Sequence, residues 1–477
     1  MKMVFTITES VNITKCNNDK QKVWKQVFYS VLVGFTYFAH GLLTTMLTTS
    51  PHAGHFRNYS NNDVPWTTLS LILAAVASAP IYGYLADRCG RKTVLYIVNL
   101  LHGALCVPLF LPPSDMGAIA LHVLAGVAAA GLFTVVPMYV REISVDYLRG
   151  FNQSILMLMT TAGYLVHLQY PPMISAPEPE EAIYAFVVIA GVQLLVTHCL
   201  EESPCYYVTV GKTESAAKAV AFLKGLRYDD PELEKEVDAL EKESIRAKSR
   251  GKLTLWAILK NVVYRDATKI GLVLYTTMVL SGSVVFLDQS QALKQLGFSD
   301  EDDKTMILLC LAGGSLAASV LILFSERKTL ITTSYTLMIL ASGVLAIYSQ
   351  TNLTIPEAWK IVPIVTLGVT VFAYGMGWGL PTIIMAEVLN IEIRSTIMCL
   401  LFVYGQLIKL AHLYTFPYIQ QYVPNDTIIF CFCLANMVGG LYSLFKLPLI
   451  RGKTVREIER QLKRVPLLKF NTSANKM

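Results

Sequence analysis

Twelve apolar stretches, each about long enough to cross a bilayer, constrain this 477-residue chain more than any other feature. They fall at 27–47, 67–86, 93–111, 117–140, 151–170 and 182–200. After a polar interval they resume at 268–287, 305–324, 329–349, 361–386, 395–418 and 427–447. A hydrocarbon interior offers backbone N–H and C=O groups no water, so stretches of this kind must be helices. The expected fold is an all-α membrane protein with twelve transmembrane helices, six on either side of the interval. Only 16% of the residues are charged, where a soluble chain carries roughly 25%.

The interval 201–266 is amphipathic. Leu233, Val237 and Leu240 share one helix face, Asp238 and Lys242 form an i,i+4 pair, and Pro231 suits a first helical turn. It reads as intracellular linker helices. The chain thus divides into a tail at 1–26, a six-helix bundle at 27–200, the linker at 201–266, a second bundle at 267–447 and a tail at 448–477.

Net charge is +6, and its distribution says more than its size. Lys and Arg gather in both tails, around Arg88, around Arg141 and Arg149, through 212–269, at Arg327 and Lys328, and at Arg394. The loops on the other side hold few: Arg57, Lys294, Lys304 and Lys360. This asymmetry places both termini in the cytoplasm. The first twenty-five residues are polar and hold five lysines, so no cleavable signal is expected. No recognition motif accompanies the basic clusters, which argues against nucleic acid as a partner. The nine cysteines are scattered and read as small packing residues, with no metal-ligand spacing and no cofactor motif. Asn58-Tyr59-Ser60, in the first outward loop, is a glycan acceptor sequence.

The two halves repeat. Pro137 precedes Glu142, and Arg149-Gly150 follows seven residues later; Pro381 precedes Glu387, and Arg394-Ser395 follows at the same spacing. Asp87-Arg88 has a reduced counterpart in Glu326-Arg327. An offset near 240 for all three is what a duplicated six-helix unit produces.

Between the second and third stretches lies Gly83-Tyr84-Leu85-Ala86-Asp87-Arg88-Cys89-Gly90-Arg91-Lys92. It resembles the G-x-x-x-D-R-x-G-R-[RK] signature of the major facilitator superfamily at every specified position. Further motifs resemble the sugar porters of that superfamily. They are Pro137-x-Tyr139-x-x-Glu142-Ile143, Glu202-Ser203-Pro204-Cys205-Tyr206-Tyr207, Ser281-Gly282, Gly377 with Pro381 and Ala386-Glu387, and Pro448 with Gly452-Lys453-Thr454 and Glu457-Ile458. Among sugar porters, the Glu202–Tyr207 motif resembles that of the insect facilitated trehalose transporters. The resemblance implies two pseudo-symmetric six-helix bundles of the major facilitator fold and no enzymatic activity. It further implies a monomer in the plasma membrane that carries a small polar solute, a sugar such as trehalose or a hexose, by alternating access.

By position, the resemblance assigns Asp87, Arg88, Arg91, Glu142, Arg149, Glu326, Arg327, Glu387 and Arg394 to a cytoplasmic gate. These charges either tie the bundles together in one state or anchor loop ends to phospholipid. The sugar-binding positions diverge. The seventh-helix glutamines correspond to Met278 and Val279, the following asparagine to Val284, the fifth-helix glutamine to Met157 and the tenth-helix tryptophan to Thr382; His122 replaces a fourth-helix arginine. Other polar groups enter: Asp288 and Gln289 on the seventh helix, and Gln406 and Lys409 on the eleventh, with His412 beyond. Lys409 lies mid-span, where a charge costs roughly 2.5–3.5 kcal/mol. It must face the cavity or join a structural ion pair, Asp288 being one candidate. His122 is either a cavity residue or a satisfied core histidine; His40, His102 and His167 read as packing residues.

No carboxylate occurs from Val27 to Asn62, where proton-driven sugar porters usually place one, and this favours facilitated diffusion. His122, Asp288 and Lys409 form a rival titratable set that would allow proton coupling. Two other functions fit the divergent cavity: a non-transporting nutrient sensor, and a transporter of a non-sugar organic solute drawn by Lys409.

Overall fold

A computed structural model describes residues 2–49, 66–105, 107, 114–169, 179–249, 255–288, 301–350, 361–453, 457–458 and 460–461. Among them there is no strand; the architecture is helical throughout. In chain order the helices are α1 (Lys2–Thr49), α2 (Trp66–Cys89), α3 (Arg91–Ala104), α4 (Asp115–Ile143), α5 (Arg149–Gln169) and α6 (Pro179–Cys199). Next come the linker helices α7 (Pro204–Val210), α8 (Thr213–Lys224), α9 (Pro231–Ser249) and α10 (Leu255–Lys260). The second half comprises α11 (Val262–Val279), α12 (Ser283–Asp288), α13 (Glu301–Leu321), α14 (Arg327–Gln350), α15 (Ile361–Gly377), α16 (Leu380–Val388), α17 (Ile391–Tyr422) and α18 (Asn425–Lys446).

Among the described residues, seven segments are long and apolar enough to cross a membrane: Val23–Leu47, Trp66–Cys89, Asp115–Ile143, Arg327–Gln350, Ile361–Val388, Ile391–Tyr422 and Asn425–Lys446. The other five expected spans coincide with α3, α5, α6, α11 with α12, and α13. These are shorter, interrupted or more polar; α5, for instance, buries Asn152, Gln153, Thr160 and Thr161. The pattern is that of the twelve-helix major facilitator fold. Asn58 and Gln289 lie outside the described residues, as does the side chain of Asp288.

The described residues form two compact units, one within Met1–Arg57 and Ala77–Ser249, the other within Asn58–Val76 and Arg250–Met477. The linker is shared between them: α7, α8 and α9 belong to the first unit and α10 to the second.

In the first unit the linker helix α8 folds against α1. Leu233 and Val237 of α9 bury against Val220 and Ala221 of α8, with Leu240 alongside. At the C-terminus of α8 the carbonyls lack intrahelical donors. Lys25 Nζ donates to Phe222 O at 2.6 Å and Gln26 Nε2 to Leu223 O at 2.5 Å, so α1 caps α8. Deeper in the unit, His40 Nδ1 lies 3.1 Å from His102 Nε2, and His102 Nδ1 lies beside the Gln193 amide. Asn99 Nδ2 donates to Thr197 Oγ1 at 2.6 Å. These buried polar groups bond to one another across α1, α3 and α6, with Asn99 Oδ1 left without a partner among the described residues, and His40 and His102 are packing histidines.

In the second unit two helical spans are broken. One break separates α11 from α12 at Leu280–Gly282, and the other separates α15 from α16 at Trp378–Gly379, just before Pro381. Side chains bind the freed backbone. Ser334 Oγ donates to Ala373 O at 2.7 Å, Ser315 Oγ to Gly375 O at 3.3 Å, and Asn436 Nδ2 to Ser281 O at 3.2 Å. Trp378 Nε1 donates in turn to Ser315 Oγ at 3.3 Å. Asn390 caps α17 by accepting from Ile391 N at 2.7 Å. Arg451 donates to Phe324 O at 2.7 Å and Leu323 O at 2.6 Å, just past α13.

Candidate functional site

The charged end of the first unit is built around Arg91. Gly90, at φ 98, turns the chain between α2 and α3, a conformation that disfavours any side chain. The turn sends the Arg91 side chain back across α2, where its Nη1 donates to Ala86 O at 2.9 Å. Its other edge meets Glu142 at the end of α4: Nε lies 3.0 Å from Oε2 and Nη2 donates to Oε1 at 3.2 Å. Arg91 is 5% exposed and the Glu142 side chain is fully buried, so water does little to screen this pair. Asp87 contributes a longer contact, 3.7 Å to Arg91 Nη1, from a half-exposed position.

The segment before α7 completes the cluster. Ser203 Oγ donates to Glu142 Oε2 at 2.5 Å and accepts from Tyr206 N at the start of α7. Glu202 accepts from the backbone N–H groups of Arg91 at 3.0 Å, Lys92 at 3.1 Å and Ser203 at 2.8 Å. α3 begins on a glycine with no side-chain cap of its own, so this carboxylate from a distant segment caps it. Burial pushes the Glu202 carboxyl above the ordinary carboxylate range, while the N–H groups of Ser203, Lys92 and Arg91 pull it down. Lys92 Nζ donates to His198 O and Leu200 O at 3.0 and 2.5 Å, and Tyr206 OH to Arg88 O at 3.0 Å. Tyr139 OH donates to Glu201 O. α2, α3, α4, α6 and α7 are thus fastened at one end. Glu202→Ala is expected to uncap α3 at a cost of about 1–2 kcal/mol. Hydrogen exchange at the Arg91 and Lys92 amides should accelerate about tenfold, and unchanged exchange would contradict the capping role.

The second unit holds a matching pair. Arg327 Nη2 donates to Glu387 Oε1 at 3.0 Å, and both residues are buried. The duplicated unit therefore repeats a buried Arg–Glu bond at corresponding helix ends. The internal repeat of the sequence sets Arg88 opposite Arg327. In the structure the role of Arg327 is taken in the first unit by Arg91, while Arg88 is exposed with its guanidinium 5.0 Å from the Tyr84 ring. The Gly90 turn is the reason, because it aims the residue after the turn inward.

The other gate candidates differ between the halves. Half-buried Arg149 pairs through Nη2 with Asp146 at 2.7 Å, and the carboxylate is exposed, where such bonds are worth about 0–1 kcal/mol. Arg394 is buried, and its Nε and Nη2 donate to Leu389 O at 3.2 and 3.0 Å, capping α16. Glu326 buries Oε2 with no hydrogen-bond partner among the described residues.

Of the cavity candidates, Met157, Met278, Val284 and Thr382 are buried and Val279 is half-buried. A Cβ on Gly377 would sit 2.6 Å from Met278 Cε, so this methionine fills space beside the α15 terminus. His122 donates from Nδ1 to Ala118 O at 2.9 Å, one turn back on α4. Gln406 and Lys409 are half-buried on α17. His412 packs its ring edgewise on Phe416 and Phe432. The suggested Lys409–Asp288 pair involves a side chain outside the described residues.

Sequence reasoning missed a row of hydroxyls on α11. Tyr275 OH is 2.8 Å from Thr382 Oγ1, Thr276 Oγ1 is 2.8 Å from Tyr404 OH, and Thr277 Oγ1 is 2.5 Å from Tyr335 OH. Three consecutive hydroxyl residues thus bind α16, α17 and α14 in turn. Their adjacency in an otherwise apolar helix was the available signal. The capping role of Glu202 had no local signal, since the chain between it and Arg91 is long.

The pattern of the "Sugar (and other) transporter" family matches residues 23–462. A glucose transporter, GlcP, of Staphylococcus epidermidis is 25% identical over 414 residues, covering 83% of this chain and 87% of its own. The solute carrier family 2 facilitated glucose transporter member 2 of Mus musculus is 24% identical over 399 residues, covering 80% and 74%. Among solved structures, the proton:xylose symporter XylE bound to 6-bromo-6-deoxy-D-glucose matches with a TM-score of 0.78 at 18% identity, covering 93% of this chain and 99% of that one. An inward-open XylE from E. coli matches with a TM-score of 0.61 at 18% identity, covering 91% and 98%. This is a multi-pass membrane protein of the major facilitator fold and not an enzyme, and the chain belongs to the sugar (and other) transporter family.

Proposed function

We propose that this chain is a facilitative transporter of a small polar solute, a sugar such as trehalose or a hexose, moved by alternating access of its two helical halves. The observation that supports this most is the buried Arg–Glu bond repeated in both halves, Arg91–Glu142 and Arg327–Glu387, in a chain matched over 23–462 by a transporter family. The pairs stiffen corresponding ends of two repeats, which suits halves that rock as rigid bodies about a midplane site. The relatives include glucose transporters, and a structural neighbour is a xylose symporter. Both termini lie in the cytoplasm, the chain resides in the plasma membrane as a monomer, and Asn58 carries a glycan on the outer side. The lack of a first-helix carboxylate favours uniport.

A second reading is a sensor that binds without transporting. Three positions where sugar porters place amides hold buried apolar side chains, Met157, Met278 and Val284, and this favours that reading. Uptake of radiolabelled trehalose and glucose into cells expressing the chain, at acidic and neutral pH, separates the two. Saturable uptake indifferent to pH is expected, and Lys409→Ala should reduce it at least ~tenfold if Lys409 contacts the solute. No uptake despite surface expression would favour the sensor or a non-sugar solute.

A further inference from the structure

Hydroxyl side chains inside a membrane helix normally satisfy themselves by donating to the carbonyl one turn back. In the second unit Thr276, Thr277, Ser315, Ser319, Ser342, Thr366, Thr370 and Thr415 all do so, at 2.5–3.1 Å. Ser281 and Ser283, like the buried Ser443 of α18, do not. Ser281 and Ser283 are buried, at 1% and 0% exposure, and the Oγ atom of each lacks a hydrogen-bond partner among the described residues. They flank Gly282, at φ 88, where the chain breaks between α11 and α12.

Asn436 of α18 reaches the same break. It is fully buried, and its Nδ2 donates to Ser281 O at 3.2 Å while its Oδ1 has no partner among the described residues. Because the amide nitrogen is committed, the free atom of Asn436 is a pure acceptor. Two hydroxyl oxygens and one amide oxygen are therefore left unpaired among the described residues at the break, where the C-terminal end of α11, the negative end of its dipole, meets the first residue of α12. Leaving each such atom unmet would cost about 1–3 kcal/mol.

We infer that the α11–α12 break is a binding site for a monovalent hard cation, sodium being the probe, held by Ser281 Oγ, Ser283 Oγ and Asn436 Oδ1. Hard cations take oxygen ligands, and broken membrane helices offer them at half-helix ends. Neutral oxygens suit a single charge, whereas a divalent ion at this depth would call for carboxylates. The site lies wholly within the second unit and is independent of the substrate reading.

The test uses the purified full-length protein. Equilibrium binding of radiolabelled sodium should saturate near about one ion per chain. The thermal midpoint should be higher in sodium chloride than in choline chloride of equal ionic strength. The double substitution Ser281→Ala with Ser283→Ala should weaken binding at least ~tenfold without lowering the midpoint in choline. If that variant does not fold, the wild-type isotherm decides alone. No saturable binding with equal midpoints in both salts would overturn the inference and leave water as the occupant. Undiminished binding in a folded double variant would overturn it as well. Neither readout involves transport, so failure of the sugar reading would leave this result standing.

Discussion

Glu142→Gln is expected to lower the thermal stability of the first unit more than any surface charge change and to abolish uptake. The substitution preserves shape and leaves an oxygen for Ser203 Oγ, yet removes the charge facing Arg91. Arg91 stays cationic and nearly inaccessible to water, with Nε and one Nη having lost their carboxylate. Breaking a buried pair by removing one partner costs about 3–5 kcal/mol, chiefly because the surviving charge is stranded. Glu387→Gln should behave alike, since Arg327 is equally buried beside it. Asp146→Asn is the control, because the Asp146 carboxylate is exposed and its bond to Arg149 should contribute about 0–1 kcal/mol. Thermal unfolding of the purified variants, with surface expression and uptake measured in parallel, checks the ranking. A Glu142→Gln loss no larger than that of Asp146→Asn would refute the buried bond.

Gly282→Ala should be nearly as damaging, for two separable reasons. Its φ of 88 lies where a side chain strains the backbone by about 1–2 kcal/mol. A Cβ built there would also meet the Phe432 ring at 2.5, 2.8 and 3.1 Å, and forcing atoms into a packed core costs about 1–3 kcal/mol. Phe432 cannot swing freely, because it lies within a cluster with Phe286, Phe416, Val285 and Ile428. A drop in thermal midpoint is expected, and adding Phe432→Leu should recover the packing part of the loss but not the backbone part. Wild-type stability in Gly282→Ala would show that the break between α11 and α12 is not held in this form.

The twelve-helix plan was legible because apolar length is a local property, and because positions such as Pro137, Glu142 and Arg149 recur in order around Pro381, Glu387 and Arg394. The Gly90 turn was legible too, as was the apolar face of Leu233 and Val237. What sequence could not reveal was partnership. Arg88 and Arg91 look equivalent in a run of basic residues, and only the turn between them decides which one is buried. Glu202 sits in a recognisable motif, yet its service as the cap of α3 depends on how α6 returns the chain beside Gly90. Spacing along α17 put Lys409, His412 and Gln406 on neighbouring turns, but it could not show that His412 rests against Phe416 and Phe432. Nor could it show that Tyr275 meets Thr382, since that contact joins helices distant in the chain.

Counterflow in proteoliposomes is the most direct test of facilitated transport by this chain. Vesicles containing the purified protein are loaded with unlabelled trehalose or glucose and diluted into a trace of the labelled sugar. A transient overshoot of label inside the vesicles, absent from protein-free vesicles and from those holding Glu142→Gln, is the predicted result. A flat trace with wild-type protein, for both sugars, would contradict sugar transport.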